Sequence, residues 1–199
     1  MRIYVIRHGQ SEANLHRIHG GWAQVPLTER GLSQAAAAGQ RLKGLDFDKV
    51  IVSDLLRAQQ TAVNALPGYE YQSDWRIREI HIGSLEGRKM AECEAELGAD
   101  YIARRKIWDF TPYGGENLSK MQLRVSKFMD DLEKEPENAQ IAVVCHEGTM
   151  LCMLRHVMGC NLPYLSAFAD NCSVCVFTHK EGHWILNKWN ETGNLIPEA

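Results

Sequence analysis

A chain of 199 residues, 45% hydrophobic and 24% charged, is long enough for one domain with a sizeable core and has an ordinary globular composition. Its formal net charge of -3 excludes a general nucleic-acid binder, so any hold on an anion has to come from a local cluster of cations. The opening MRIYVIRHG is too short in its apolar run for a secretory leader, and no stretch approaches the roughly 20 apolar residues that span a bilayer; a cytoplasmic protein with no membrane partner is expected.

Residues 3–6 form a short β-rich run that suits one buried strand. Thr28 precedes Glu29, Arg30 and an Ala-rich stretch to about Leu42, which predicts an N-capped helix ended by Gly44. Residues 49–53 (KVIVS) predict a second strand, and 55–65 a helix that stops before Pro67-Gly68. The block 88–134 reads as helical and polar, interrupted by Thr111-Pro112-Tyr113-Gly114-Gly115. Residues 140–145 (QIAVVC) predict a third strand and 148–157 a helix closed by Gly159; strands at 173–179 and 183–189 flank Glu181-Gly182 as a hairpin. Continuous apolar strands alternating with helices predict an α/β fold, a three-layer αβα sandwich with a mainly parallel central sheet. With no repeat or linker, 1–199 is expected to be a single domain, with a helical cap insertion at about 88–134.

The six cysteines (Cys93, Cys145, Cys152, Cys160, Cys172, Cys175) sit mostly among apolar neighbours, as reduced buried thiols do. Cys172 and Cys175 form a C-x-x-C, but on a strand residues three apart face opposite sides, and zinc would need partners at similar spacing.

In a parallel α/β sheet, ligands bind beyond the carboxyl ends of the strands. Strand one ends in Arg7-His8-Gly9, strand two runs through Ser53 into a helix carrying Arg57, and strand three ends in Cys145-His146-Glu147-Gly148. A loop at 76–83 adds the carboxylate of Glu79. Each residue alone has an ordinary structural reading; together they suggest a site for phosphate. A metal centre built from His8, His146, His16, His19 and Glu79 is the chemical rival, but Arg7 and Arg57 would repel a dication and attract a phosphate.

These residues carry a resemblance. Arg7-His8-Gly9 with Gln10-Ser11-Glu12-Ala13-Asn14 resembles the RHG signature of the histidine phosphatase superfamily, in its phosphoglycerate-mutase-like branch. The likeness continues through Pro26-Leu27-Thr28-Glu29-Arg30-Gly31, Ser53-Asp54-Leu55-Leu56-Arg57-Ala58, Glu79-Ile80-His81-Ile82-Gly83-Ser84-Leu85-Glu86-Gly87, Gly114-Gly115-Glu116 and Val144-Cys145-His146-Glu147-Gly148, in family order over most of the chain. The resemblance implies His8 as a nucleophile that becomes phosphohistidine. It implies Arg7, Arg57 and His146 as the pocket for the phosphoryl oxygens, Glu79 as proton donor, and Asn14 with the Gly20-Gly21 backbone as further phosphate contacts.

Two guanidiniums and a protonated imidazole would supply the charge that a metal supplies elsewhere, so no metal or cofactor is expected. Many relatives carry Gly where this chain has Glu147, which puts negative charge near the pocket unless it points away. Glu86 is a second acidic candidate, but it falls in a Leu-Glu-Gly turn, so Glu79 is preferred.

The same site could pass its phosphoryl group to water or to a second substrate. The segment between Glu79 and His146 is shorter than in phosphoglycerate mutases of the branch, and Arg104-Arg105-Lys106 reads as a solvated helix face. A phosphatase for a small phosphorylated metabolite, acting as monomer or homodimer, is therefore preferred; a cofactor-dependent phosphoglycerate mutase and a silent phosphate-binding module stay open. Arg17, His19 and Trp22 could choose the substrate, and residues 192–199 could fold over the site or fray.

Overall fold

The computed structural model describes residues 1–159 and 167–193. A six-stranded sheet runs in the order β3-β2-β4-β1-β5-β6, with β1 at Arg2–Arg7, β2 at Lys49–Val52, β3 at Gln72–Ser73, β4 at Gln140–Cys145, β5 at Val174–Lys180 and β6 at His183–Glu191. Strands β3, β2, β4 and β1 are mutually parallel, and β5 and β6 close the other edge as the expected antiparallel hairpin. The sequence gives no sign of β3, whose two residues pair only with Ile51 and Val52. The helices are α1 (Glu12–His16), α2 (Glu29–Leu42), α3 (Leu56–Ala65), α4 (Met90–Lys106), α5 (Leu118–Leu132) and α6 (Glu147–Val157).

Strand periodicity of two divides the apolar runs between two cores. Tyr4, Ile6, Val50, Val52, Ala142 and Val144 face α2 and α3, whose contributions are the small Ala35, Ala38, Ala58 and Ala62. Ile3, Val5, Ile51, Ile141 and Val143 face α5 and α6, which supply Met121, Val125, Phe128, Met129 and Met150. Thr28 caps α2 as expected, its side chain accepting from Gly31 N at 3.0 Å.

The block 88–134 is not cap throughout, because α5 buries an apolar stripe in the sheet-facing core. Only its first half, α4 and the 3₁₀ turn at Thr111–Tyr113, has few buried residues, and α4 is kinked at Gly98. Cys172 and Cys175 lie in different cores on opposite faces of the sheet, as expected. Burial pushes both thiols up to about 12, which keeps them protonated. Cys160 and residues 194–199 lie outside the described residues, and no helix described is long and apolar enough to cross a membrane.

Phe128 is 2% exposed and packs α5 onto the sheet. Phe128→Ala is expected to lower unfolding free energy by about 3–5 kcal/mol, measured by urea titration.

Candidate active site

Strands β1, β2 and β4 deliver the expected residues to one sheet edge. Arg7 is the last residue of β1 and pairs across the ladder with Cys145, the last residue of β4, so His8 and His146 leave adjacent strands side by side. Their ring centroids are 5.1 Å apart at an interplanar angle of 57°, and both are buried. Gly9 brings the chain against the start of α2. A Cβ at Gly9 would strike the backbone of Gly31, and one at Gly31 that of Gln10, so two glycines set the angle at which His8 enters the site. The His8 backbone is also tied from behind, its N–H donating to Cys145 O at 3.0 Å and its carbonyl accepting from Asn171 Nδ2 at 3.0 Å.

His8 Nδ1 lies 2.7 Å from the carbonyl oxygen of Gly9. A carbonyl only accepts, so Nδ1 carries the proton and Nε2 the lone pair. Burial, then Arg57 and Arg7, hold the His8 pKa well below its usual value, so the ring is neutral at neutral pH.

His146 Nε2 lies 2.8 Å from Ser53 Oγ, which also accepts from Leu55 N at 3.5 Å. With Nδ1 of His146 protonated, the serine hydroxyl donates to Nε2 while its oxygen still accepts from Leu55 N. Burial first, then Arg57 and His8, drive the His146 pKa well below its usual value, so the ring is neutral before an anion binds.

Arg57 is 3% exposed, and its terminal nitrogens donate to Ala23 O at 3.1 Å and Gly21 O at 2.8 Å. Burial lowers its pKa to about 10, which leaves it charged at neutral pH. Arg7 donates through Nη1 to Ala169 O, and its Nη2 is 2.9 Å from Glu147 Oε2. Glu147 thus does not point away; it pairs with a pocket cation, while burial raises its own pKa. Two buried nitrogens, Arg7 Nε and His146 Nδ1, have no hydrogen-bond partner among the described residues. Buried polar groups left unpaired are costly and mark a place where a ligand belongs.

Glu79 Oε1 accepts from Ile80 N at 2.9 Å and Oε2 from Gly148 N at 3.3 Å, which brings this carboxylate to the start of α6 beside His146. Glu86 turns instead to the backbone, accepting from Trp22 N at 2.9 Å. Asn14 is exposed, and its Oδ1 accepts from Ser11 N at 3.0 Å in a capping box on α1; this capping role was not foreseen, and it leaves only the amide NH₂ for an anion. Gly20 and Gly21 line a cavity with Glu79. The five donors of the metal alternative do not converge. His16 pairs with Glu12 on the surface and His19 bonds Tyr101; the grouping of three ligand-type side chains found among the described residues is Asp130, Glu133 and His156.

Sequence reasoning missed what holds Glu79. Arg124, 6% exposed, donates to the carbonyls of Arg76 at 2.6 Å, Arg78 at 2.8 Å and Glu79 at 2.9 Å, and pairs with Glu116. Trp22 Nε1 also donates to Glu79 O at 2.7 Å, and Thr149 Oγ1 to Arg78 O at 2.9 Å. The available signal was a charged residue inside the apolar stripe Met121, Val125, Phe128 of α5.

Burial also lowers the His19 pKa to about 4. The unfolded chain binds this proton below about pH 6.5 and the native chain does not until about pH 4, so stability is full above the first value and lost as pH falls. His19 alone predicts a loss of ~2 kcal/mol between pH 7.5 and pH 5, and His8 and His146 act in the same direction. Urea titrations at the two pH values measure it.

The sequence model described as histidine phosphatase superfamily (branch 1) matches residues 3–192. The chain is 31% identical over 201 residues to the probable phosphoglycerate mutase GpmB of Erwinia tasmaniensis, covering 95% of this chain and 90% of that protein. It is 32% identical over 162 residues to the adenosylcobalamin/alpha-ribazole phosphatase of Escherichia coli, covering 80% of each. Among solved structures, the alpha-ribazole phosphatase from Shigella flexneri superposes with a TM-score of 0.90 at 26% identity, with 100% of both chains covered.

Proposed function

The chain belongs to the histidine phosphatase superfamily, branch 1, and on that premise we propose that it is a metal-independent phosphoric monoester hydrolase working through a phosphohistidine on His8. The observation that supports this most is the His8 ring itself, buried, neutral, with Nδ1 occupied by Gly9 O and its lone pair on Nε2. In the proposed step Nε2 attacks phosphorus and the P–O ester bond breaks. The Glu79 carboxyl gives its proton to the departing oxygen, so an alcohol leaves. Water then attacks the phosphohistidine, its proton passes to the Glu79 carboxylate, and inorganic phosphate and free His8 result.

Charge stabilisation falls to Arg57 and Arg7, whose Nε is the donor not taken by Ala169 or Glu147, with His146 Nδ1–H as a neutral partner. Asn14, through its amide, and the Gly20-Gly21 backbone would complete the contacts. Glu147 would sit at the rim of the substrate site, offsetting part of Arg7's charge. We read 1–199 as one catalytic domain of a cytoplasmic protein, monomer or homodimer, with the cap confined to the part before α5.

Passing the phosphoryl group to a second phosphoglycerate is the other reading, favoured by the likeness to the protein named probable phosphoglycerate mutase. Glu147 beside Arg7 counts against it, because a carboxylated substrate would meet a carboxylate at the pocket.

Hydrolysis of p-nitrophenyl phosphate is expected to survive chelator and to fall by at least about 10³-fold in His8→Ala. Glu79→Gln is expected to lose about 10²–10⁴-fold on an alkyl phosphate and much less on p-nitrophenyl phosphate, whose phenolate leaves unaided. Fast interconversion of phosphoglycerates with bisphosphoglycerate present would establish the mutase instead, and phosphate binding with no turnover a binding module.

A further inference from the structure

A cavity of about 240 Å³ opens beside Glu79, walled by Gly20 and Gly21 on one side and by Ile80, Ile82, Met90, Trp108 and Phe110 on the other, with His19 and Arg105 completing it. It adjoins the site just described through Glu79, Gly20 and Gly21, which line it. Gly21 offers its carbonyl to Arg57, and Glu79 Oε2 accepts from Gly148 N. A Cβ on Gly148 would run into Glu79 Oε1 and come 2.6 Å from Trp108 Cζ3, so carboxyl and indole both press on the turn that follows His146.

Trp108 has a φ of 56°, a left-handed conformation that a bulky residue adopts only when its surroundings impose it. Its backbone N–H donates to Arg105 O at 3.2 Å, and its carbonyl accepts from Leu118 N at 2.9 Å, which fixes the main chain that carries the half-buried indole at the cavity wall. The charge in this wall is already answered. Arg105 pairs with Glu94 at 2.9 Å, and His19, bonded to Tyr101 and lowered to about 4, is neutral. A leaving group with a carboxylate or a second phosphate would therefore find no unpaired cation among these lining residues. A cavity of about 150 Å³ suffices for one benzene ring, so this one has room for a single ring and small substituents.

We propose that this cavity is the leaving-group subsite, and that it selects phosphomonoesters whose alcohol carries one flat apolar ring. The inference rests on the phosphatase reading, with Glu79 protonating an oxygen delivered at the cavity mouth. The indole of Trp108 and the ring of Phe110 supply apolar surface for such a group.

The test compares benzyl phosphate with ethyl phosphate, two alkyl esters that differ mainly in the ring, and with 3-phosphoglycerate. The wild-type kcat/KM is expected to favour benzyl phosphate over ethyl phosphate by at least about ten-fold and to be lowest for 3-phosphoglycerate. Trp108→Ala is expected to collapse the benzyl-to-ethyl ratio towards one, mainly through KM; Met90→Gln, on the half-exposed rim, is expected to reduce it in the same direction should the first variant fold poorly. Equal wild-type values for the two alkyl esters, or a ratio unchanged in a folded variant, would overturn the subsite while leaving the phosphatase intact. Absence of hydrolysis of every ester would instead sink the phosphatase reading and the subsite with it.

Discussion

The hydrogen bond from His8 Nδ1–H to the carbonyl of Gly9 is the constraint on which the rest of the site depends. A free imidazole exchanges its proton between two nitrogens; this bond settles which one keeps it and leaves the lone pair on the other. Burial and the guanidiniums of Arg57 and Arg7 then prevent the ring from gaining a second proton, so the lone pair persists at neutral pH. On the proposed mechanism the same cations would attract a phosphoryl group, so a single charge cluster would both keep His8 neutral and gather its target. The carbonyl of Gly9 can stand there only because Gly9 and Gly31 pack backbone to backbone, which joins the end of β1 to the first turn of α2.

Around that centre the protein builds rigid supports instead of adding charge. Arg124 is a buried cation with no role at the sheet edge itself; its guanidinium is satisfied by Glu116 and by the carbonyls of Arg76, Arg78 and Glu79. A buried guanidinium without those partners would be strongly destabilising, and with them it fixes the backbone that carries Glu79. Ser53 does the corresponding work for His146 by holding its ring through Nε2 at 2.8 Å. Helix α4 is kinked at Gly98, and beyond its end Trp108 meets Glu79 at the turn of Gly148.

Much of this was legible in the sequence where a short-range rule governs. The strands β1, β2 and β4 are continuous apolar runs, Thr28 is an N-cap with its acceptor in place, and the histidines and arginines sit where such strands end. What could not be read depends on contacts between distant segments. Strand β3 exists only because Gln72 and Ser73 meet β2. The polar look of 88–134 concealed α5, whose stripe of Met121, Val125, Phe128 and Met129 is as apolar as any core helix once its phase is drawn. Glu147 finds Arg7, from the end of another strand. The lowered pKa of His146 could not be read either, because burial, the largest influence on it, belongs to the folded chain alone.

Isotopic trapping tests the centre most directly. After acid-free rapid quench with ³²P-labelled substrate, peptide mapping should place the label on His8, and the linkage should be the Nε2-phosphohistidine isomer that the Gly9 bond dictates. Label on Nδ1 of His8, or on any other residue, would contradict the assignment of the nucleophile.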